Sequence, residues 1–194
     1  ESDNKAKSII YDHLSAFGYS PYEYLLDPGK CYMTVDVEVS CALDIFEDSI
    51  KHGMNGLCIT RMSPDELILR FPQHNVTIAQ LTQVNGKNHI APTALGQLQG
   101  TIISYINEFG GSMLFFDGFD YLVTHNGFTK SLRIIQYIKD YVQAENGIIL
   151  APLFQKEFTE QEFALLEREF KRFEPVESKE DVQSLADAIS SVMK

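Results

Sequence analysis

Lysine and arginine are scarce in this chain. There are 16 of them against 27 acids, giving a formal net charge of -11. Phosphate backbones demand clustered cations, so nucleic-acid binding is excluded as a role. Cysteine is scarcer still. Cys31, Cys41 and Cys58 show no metal-ligand spacing, and an odd number does not build a secreted disulfide framework. Cys31 and Cys58 lie in apolar runs, where free cysteine behaves as a small hydrophobe, so the expected setting is a reduced, cytoplasmic one. No apolar run approaches the ~20 residues needed to span a bilayer, so this segment is not expected to insert into a membrane. No signal peptide is visible, and a first residue of Glu1 in place of Met fits a fragment or a processed chain. Also absent is the glycine-rich phosphate loop that ends in Gly-Lys-Ser/Thr.

What is present is the composition of a soluble globular domain: 194 residues, 44% hydrophobic and 22% charged. The acids crowd the two ends, and the middle is nearly neutral. Ser112-Met113-Leu114-Phe115-Phe116-Asp117-Gly118 stands out there. An apolar run that stops at a carboxylate reads as a buried central strand of a parallel sheet, with Asp117 at its C-terminal edge. In open α/β sheets ligands bind at that edge. In nucleotide-hydrolysing folds such a strand holds the magnesium of a bound triphosphate.

The rest of the chain alternates strand and helix signals. Residues 4–17 place Ile9, Ile10, His13, Leu14 and Phe17 on one stripe, a lead-in helix within 1–20. Asp27-Pro28-Gly29-Lys30 is a turn signal that predicts a hairpin between Tyr22–Leu26 and Cys31–Val37. Ser40 is expected to cap a helix reaching Lys51, with Gly53 beyond its end. Leu57–Met62 and Val76–Leu81 read as strands. Between them Ser63-Pro64-Asp65-Glu66 has the order of a cap, an N1 proline and a capping-box glutamate. A helix is predicted from Pro92 through Phe109, where Gly96 and Gly100 would permit close approach to the sheet. Phe128 to Val142 marks another helix, Ile148–Phe154 a strand, and Thr159-Glu160-Gln161-Glu162 a capping box before a helix bearing Phe163, Leu166, Phe170 and Phe173. That last stripe reads as packing on the chain's own sheet, with a partner-docking seam as the other reading. The pattern predicts an α/β domain over 21–174: three layers, a mainly parallel central sheet with helices on both faces, an N-terminal hairpin strand and C-terminal helices. A short helix is expected within 175–194.

Gly53-Met54-Asn55-Gly56-Leu57-Cys58-Ile59-Thr60-Arg61, Phe116-Asp117-Gly118-Phe119-Asp120-Tyr121-Leu122, His125-Asn126-Gly127-Phe128 and Leu165-Leu166-Glu167-Arg168-Glu169 together resemble the archaeal family called domain of unknown function 835. The resemblance covers roughly residues 22–174. It implies a degenerate RecA- and KaiC-like element order, in an appendage of archaeal signalling proteins with no established activity.

The chemistry follows from what surrounds Asp117. A phosphate loop belongs between the first core strand and the first helix, because successive backbone N–H groups and the helix N-terminus must wrap the phosphates. Here that junction is Val35-Asp36-Val37-Glu38-Val39-Ser40-Cys41. It brings two carboxylates and no glycine or lysine, and its valines disfavour the positive φ of a phosphate nest. Asp117 and Asp120 could hold a divalent cation, or could bond the local backbone; without a phosphate loop the second reading leads. Arg61 could take a phosphate bidentately, or pair with Asp117 or Asp36. His125 and Asn126 read as a polar loop at the ligand edge, or as helix entry with Asn126 near the cap, and the latter is favoured. No catalytic residue, metal site or cofactor is expected. The expected function is a non-catalytic regulatory or protein-interaction module of an archaeal signalling protein, with a protein partner or a homodimer. The alternative is a nucleotide- or phospholigand-binding sensor or enzyme using Arg61, Asp117, Asp120, His125 and Asn126, and magnesium enters only there.

Overall fold

Five apolar runs of four to six residues, none bearing a charge, form the inner strands of a seven-stranded sheet. The computed structural model describes residue 24 and residues 26–71 and 75–173. In chain order the elements are β1 (Cys31–Val35), α1 (Val39–Lys51), β2 (Gly56–Thr60), α2 (Pro64–Arg70), β3 (Val76–Leu81), β4 (His89–Ile90), α3 (Leu95–Phe109), β5 (Met113–Phe116), α4 (Phe119–Asn126), α5 (Phe128–Ala144), β6 (Ile148–Leu153), a 3-10 turn (Gln155–Glu157), α6 (Glu160–Glu169) and β7 (Lys171–Arg172). The sheet order is β4-β3-β2-β5-β6-β1-β7, and every pairing is parallel. All strand carboxyl ends therefore lie along one edge.

Each face carries its own core, as a sheet buried on both sides requires. On one face α1 and α2 cover Tyr32, Cys58, Met113, Phe115, Ile148 and Leu150. Phe46 of α1 meets Phe115 at 5.6 Å and Phe71 edge-on at 5.4 Å. On the other face α3 to α6 cover Met33, Ile59, Leu114, Phe116, Ile149 and Ala151. A fully buried side chain of this size contributes roughly 1.5–3 kcal/mol, so the two aromatic-rich cores dominate stability.

Several local expectations change. The hairpin does not form. Tyr24 and Leu26 are not in strands, and both edges of β1 are taken, by β6 and β7. The Asp27–Lys30 turn instead ties Gly29 N–H to Gly147 O at 2.8 Å. Helix α1 starts a residue before Ser40, with Glu38 at its N-cap. Ser63 precedes α2 and Pro64 occupies N1, but the Ser63 side chain makes no cap bond. Thr159 and Glu162 do form both bonds of the capping box. Gly96 and Gly100 do not approach the sheet: both are exposed, and a Cβ added at either meets nothing within 4 Å. Phe163 and Leu166 are buried on the α3–α6 face, as packing on the chain's own sheet requires. Phe173 lies past the helix and packs instead on Tyr24 and Tyr32. The expected segments 1–20 and 175–194 fall outside the described residues.

Candidate functional site at the carboxyl edge of the sheet

Asp117 follows β5 directly, and Thr60 closes the neighbouring β2. Parallel pairing sets their ends side by side: Asp117 N–H donates to Ile59 O at 2.8 Å, and Thr60 Oγ1 donates to Asp117 Oδ2 at 2.6 Å. The same hydroxyl accepts Met62 N–H at 3.1 Å. Burial pushes the Asp117 carboxyl above the ordinary aspartate range, with Asp120 adding to the rise, while the Thr60 hydroxyl, the Arg61 backbone N–H and the Arg61 charge oppose it. Gly118 then turns the chain at φ 109°, where a Cβ would sit 3.1 Å from Leu81 Cδ1 and 3.2 Å from Arg61 Cγ. Only glycine satisfies both the left-handed backbone and the close approach.

Helix α4 lies along this edge. The Arg61 guanidinium stacks over the Tyr121 ring at 4.2 Å, and Tyr121 meets the His125 ring edge-on at 4.3 Å. Among the described residues Arg61 enters none of the ion pairs. His125 Nδ1 is 2.8 Å from Tyr121 O, so it donates to that carbonyl; Nε2 then accepts from Gln83 Nε2 at 2.8 Å. Asn126 donates to Pro92 O and Leu122 O, both at 2.9 Å, which ties α4 to the start of α3. The edge thus gathers Arg61, Asp117, Asp120 and His125, whereas the Asn126 amide is spent on backbone. His125 and Asn126 form the last turn of α4, and Gly127 caps α5.

Glu157 was not among the residues singled out from sequence. It sits in the turn after β6, and its carboxyl is raised by burial and by the charges of Asp120 and Asp117. Its signal was available, since it is the first acid after a strand end, as Asp117 is. Lys156 and Arg61 oppose the rise at Glu157, so three carboxylates and two cations share the electrostatics of this edge. Among the described residues no group of three or more His, Cys, Asp or Glu is placed to hold a metal ion.

The junction after β1 does not fit a triphosphate. Only Asp36, Val37 and Glu38 separate β1 from α1. Asp36 adopts φ 54° and its Oδ1 accepts Gln155 N–H at 2.9 Å, closing the turn that carries Glu157. Glu38 occupies the N-cap of α1 without a side-chain cap bond, and its carboxylate accepts from Ser40 Oγ at 3.3 Å. Where a phosphate cradle would aim N–H groups, this junction places carboxylates.

Residues 37–170 match the family described as protein of unknown function DUF835. The chain belongs to that family. Its solved structural likenesses include the flagellar accessory protein FlaH from Methanocaldococcus jannaschii, at 10% identity and TM-score 0.53, covering 76% of this chain and 72% of that one. Another is PH0250 from Pyrococcus horikoshii OT3, at 14% identity and TM-score 0.55, covering 79% and 85%. No curated protein matches. At such identities the likeness is one of fold, and the fold of this DUF835 domain is RecA-like.

Proposed function

We propose that this DUF835 domain is a RecA-like scaffold turned to non-catalytic, regulatory protein interaction, with no nucleotide turnover of its own. One observation carries the reading. The crossover after β1 is three residues long, and its Asp36 carboxylate is committed to the turn after β6. Neighbouring parallel strands lie about 4.8 Å apart, so β1 and β5 are about 10 Å apart across β6. In that span an NTPase needs cationic and N–H groups facing the phosphates. This chain offers Asp36 and Glu38 on one side and Asp117 on the other.

A second reading rests on Arg61. Its guanidinium is held on Tyr121 and paired with no carboxylate among the described residues, a posture suited to an anionic group. The acids Asp117, Asp120 and Glu157 oppose it by like-charge repulsion with any phosphate. Calorimetry with ATP and ADP in the presence of magnesium separates the two. The proposal expects no saturable heat and no phosphate release. Saturable binding at micromolar ligand that disappears in Arg61→Ala or Asp117→Asn overturns it in favour of the phospholigand sensor.

A further inference from the structure

The two edges of the sheet are built differently. One ends in β7, two residues long and both cationic, Lys171 and Arg172. Charged, very short edge strands prevent pairing with another chain. The other edge ends in β4, equally short but without a formal charge, and it covers only part of β3. Strand β4 pairs with β3 only at Gln80 and Leu81, so Val76–Ala79 have no partner strand on that side among the described residues. Gln80 N–H points outward, to Asn88 O at 2.9 Å. Backbone groups alternate along a strand, so those of Val76 and Ile78 point outward as well. The segment is uncharged, free of proline and rich in β-branched residues.

The strand and most of α3 are equally depleted of charge, while α2 exposes Asp65 and Glu66 and Glu108 lines the groove beside α3. From Phe71 to Asn107 the chain carries one formal charge, Lys87, although the whole chain carries -11. Two copies of so acidic a protein repel each other wherever acids line the contact. The β3 edge and the inner turns of α3 are where they can meet with least of that cost, with Asp65, Glu66 and Glu108 around them, and loss of charge is also the compositional mark of an interface centre. On one side of the edge α2 exposes Ile68 (56%) and Leu69 (85%). On the other side lies a groove of about 580 Å³ lined by Thr77, Thr101, Ser104, Tyr105, Glu108 and Phe109. The exposed Gly96 and Gly100 of α3 lie on the same side and leave room for a second helix. Helix α3, 15 residues long, extends about 22 Å and the three layers are about 30 Å through, so the wall presents on the order of 650 Å², close to the ~800 Å² per partner of a standard interface.

We infer that the domain forms a two-fold homodimer through this wall, with two β3 strands paired antiparallel over Val76–Ile78, the axis at Thr77, into one continuous sheet. The two-fold brings α2 against α2 on one face and α3 against α3 on the other, an isologous contact that closes on itself. The surface is separate from the carboxyl edge, so the inference stands or falls independently of the nucleotide question.

Sedimentation velocity over a micromolar concentration series, combined with amide exchange, tests it. The expected result is a shift from 22.0 kDa toward twice that mass, with Val76 and Ile78 amides becoming protected as concentration rises. Gly100→Glu and Leu69→Glu each place like charges across the two-fold and are expected to weaken the dimer by more than about tenfold. Gly100→Glu also replaces a helix-interior glycine, so its monomer is expected to melt higher than wild type. That rise shows that loss of the dimer is not loss of the fold. Leu165→Glu, on the exposed side of α6, is expected to leave the dimer intact. A monomer at every concentration, or a dimer that survives both charges, overturns the inference.

Discussion

Thr60→Val is the sharpest probe of the carboxyl edge. Thr60 is fully buried, and Val fills the same volume, so no cavity forms. Two bonds are lost: the 2.6 Å donation to Asp117 Oδ2 and the acceptance of Met62 N–H. A hydrogen bond to a charged group is worth about 1.5–3 kcal/mol, and a donor left unmade costs about 1–3 more. The Met62 amide is half-buried and regains part of this from water, so we expect a net loss of about 2–4 kcal/mol. For a chain of this length that is on the order of 10 °C in Tm. The cost must also depend on pH. Removing the hydroxyl withdraws a group that holds the Asp117 pKa down, so the pKa rises further. A raised carboxyl pKa means the folded state binds more protons than the unfolded one, and stability then falls as pH rises through the folded pKa. Thr60→Val is therefore expected to be most damaging near neutrality and least damaging in acid, where Asp117 is protonated in both states. Urea unfolding at neutral and acid pH, with the double cycle against Asp117→Asn, measures this. A penalty that is the same at both pH values, with additive single mutants, would refute the coupling.

Asp117→Asn itself should stabilise the domain near neutrality relative to acid, because it removes a buried carboxylate yet keeps an oxygen for Thr60. The wild-type contribution is fully present below the ordinary aspartate value of 3.8 and is lost as pH rises through the raised one; a pH series of Tm in which the two proteins run parallel sinks this assignment. Thr159→Ala removes the cap that receives Glu162 N–H and is expected to cost about 1 kcal/mol in urea, with Glu162→Ala giving much of the same loss through the reciprocal bond. An unchanged midpoint for Thr159→Ala would place the start of α6 under tertiary control alone.

The parts of the fold that were legible carry their signal locally. Helices α3 and α5 repeat apolar residues at one helical period, strands β5 and β6 are unbroken apolar runs, and the capping box before α6 is a local hydrogen-bond arrangement that needs no distant partner. The elements that escaped were short or lacked their usual start. Helix α4 begins at Gly118, which has no side chain to cap with, and it spans only eight residues. Strands β4 and β7 are two residues each and exist because β3 and β1 offer them unpaired backbone. The hairpin before β1 failed for the converse reason, since β6 and β7 had already taken both edges.

The site divides in the same way. An apolar run that ends in a carboxylate was enough to place Asp117 at the carboxyl edge, and the acidic junction after β1 was enough to reveal the missing phosphate cradle, because both depend on neighbours in sequence. That Asp117 takes its proton donor from Thr60, that Arg61 lies on Tyr121 and not on a carboxylate, and that Glu157 joins the cluster were decided by strand order and register. Those bring together residues lying 40 to 60 positions apart. Local chemistry is written along the chain, whereas the electrostatic neighbourhood of a buried group exists only once the sheet has set distant strands side by side.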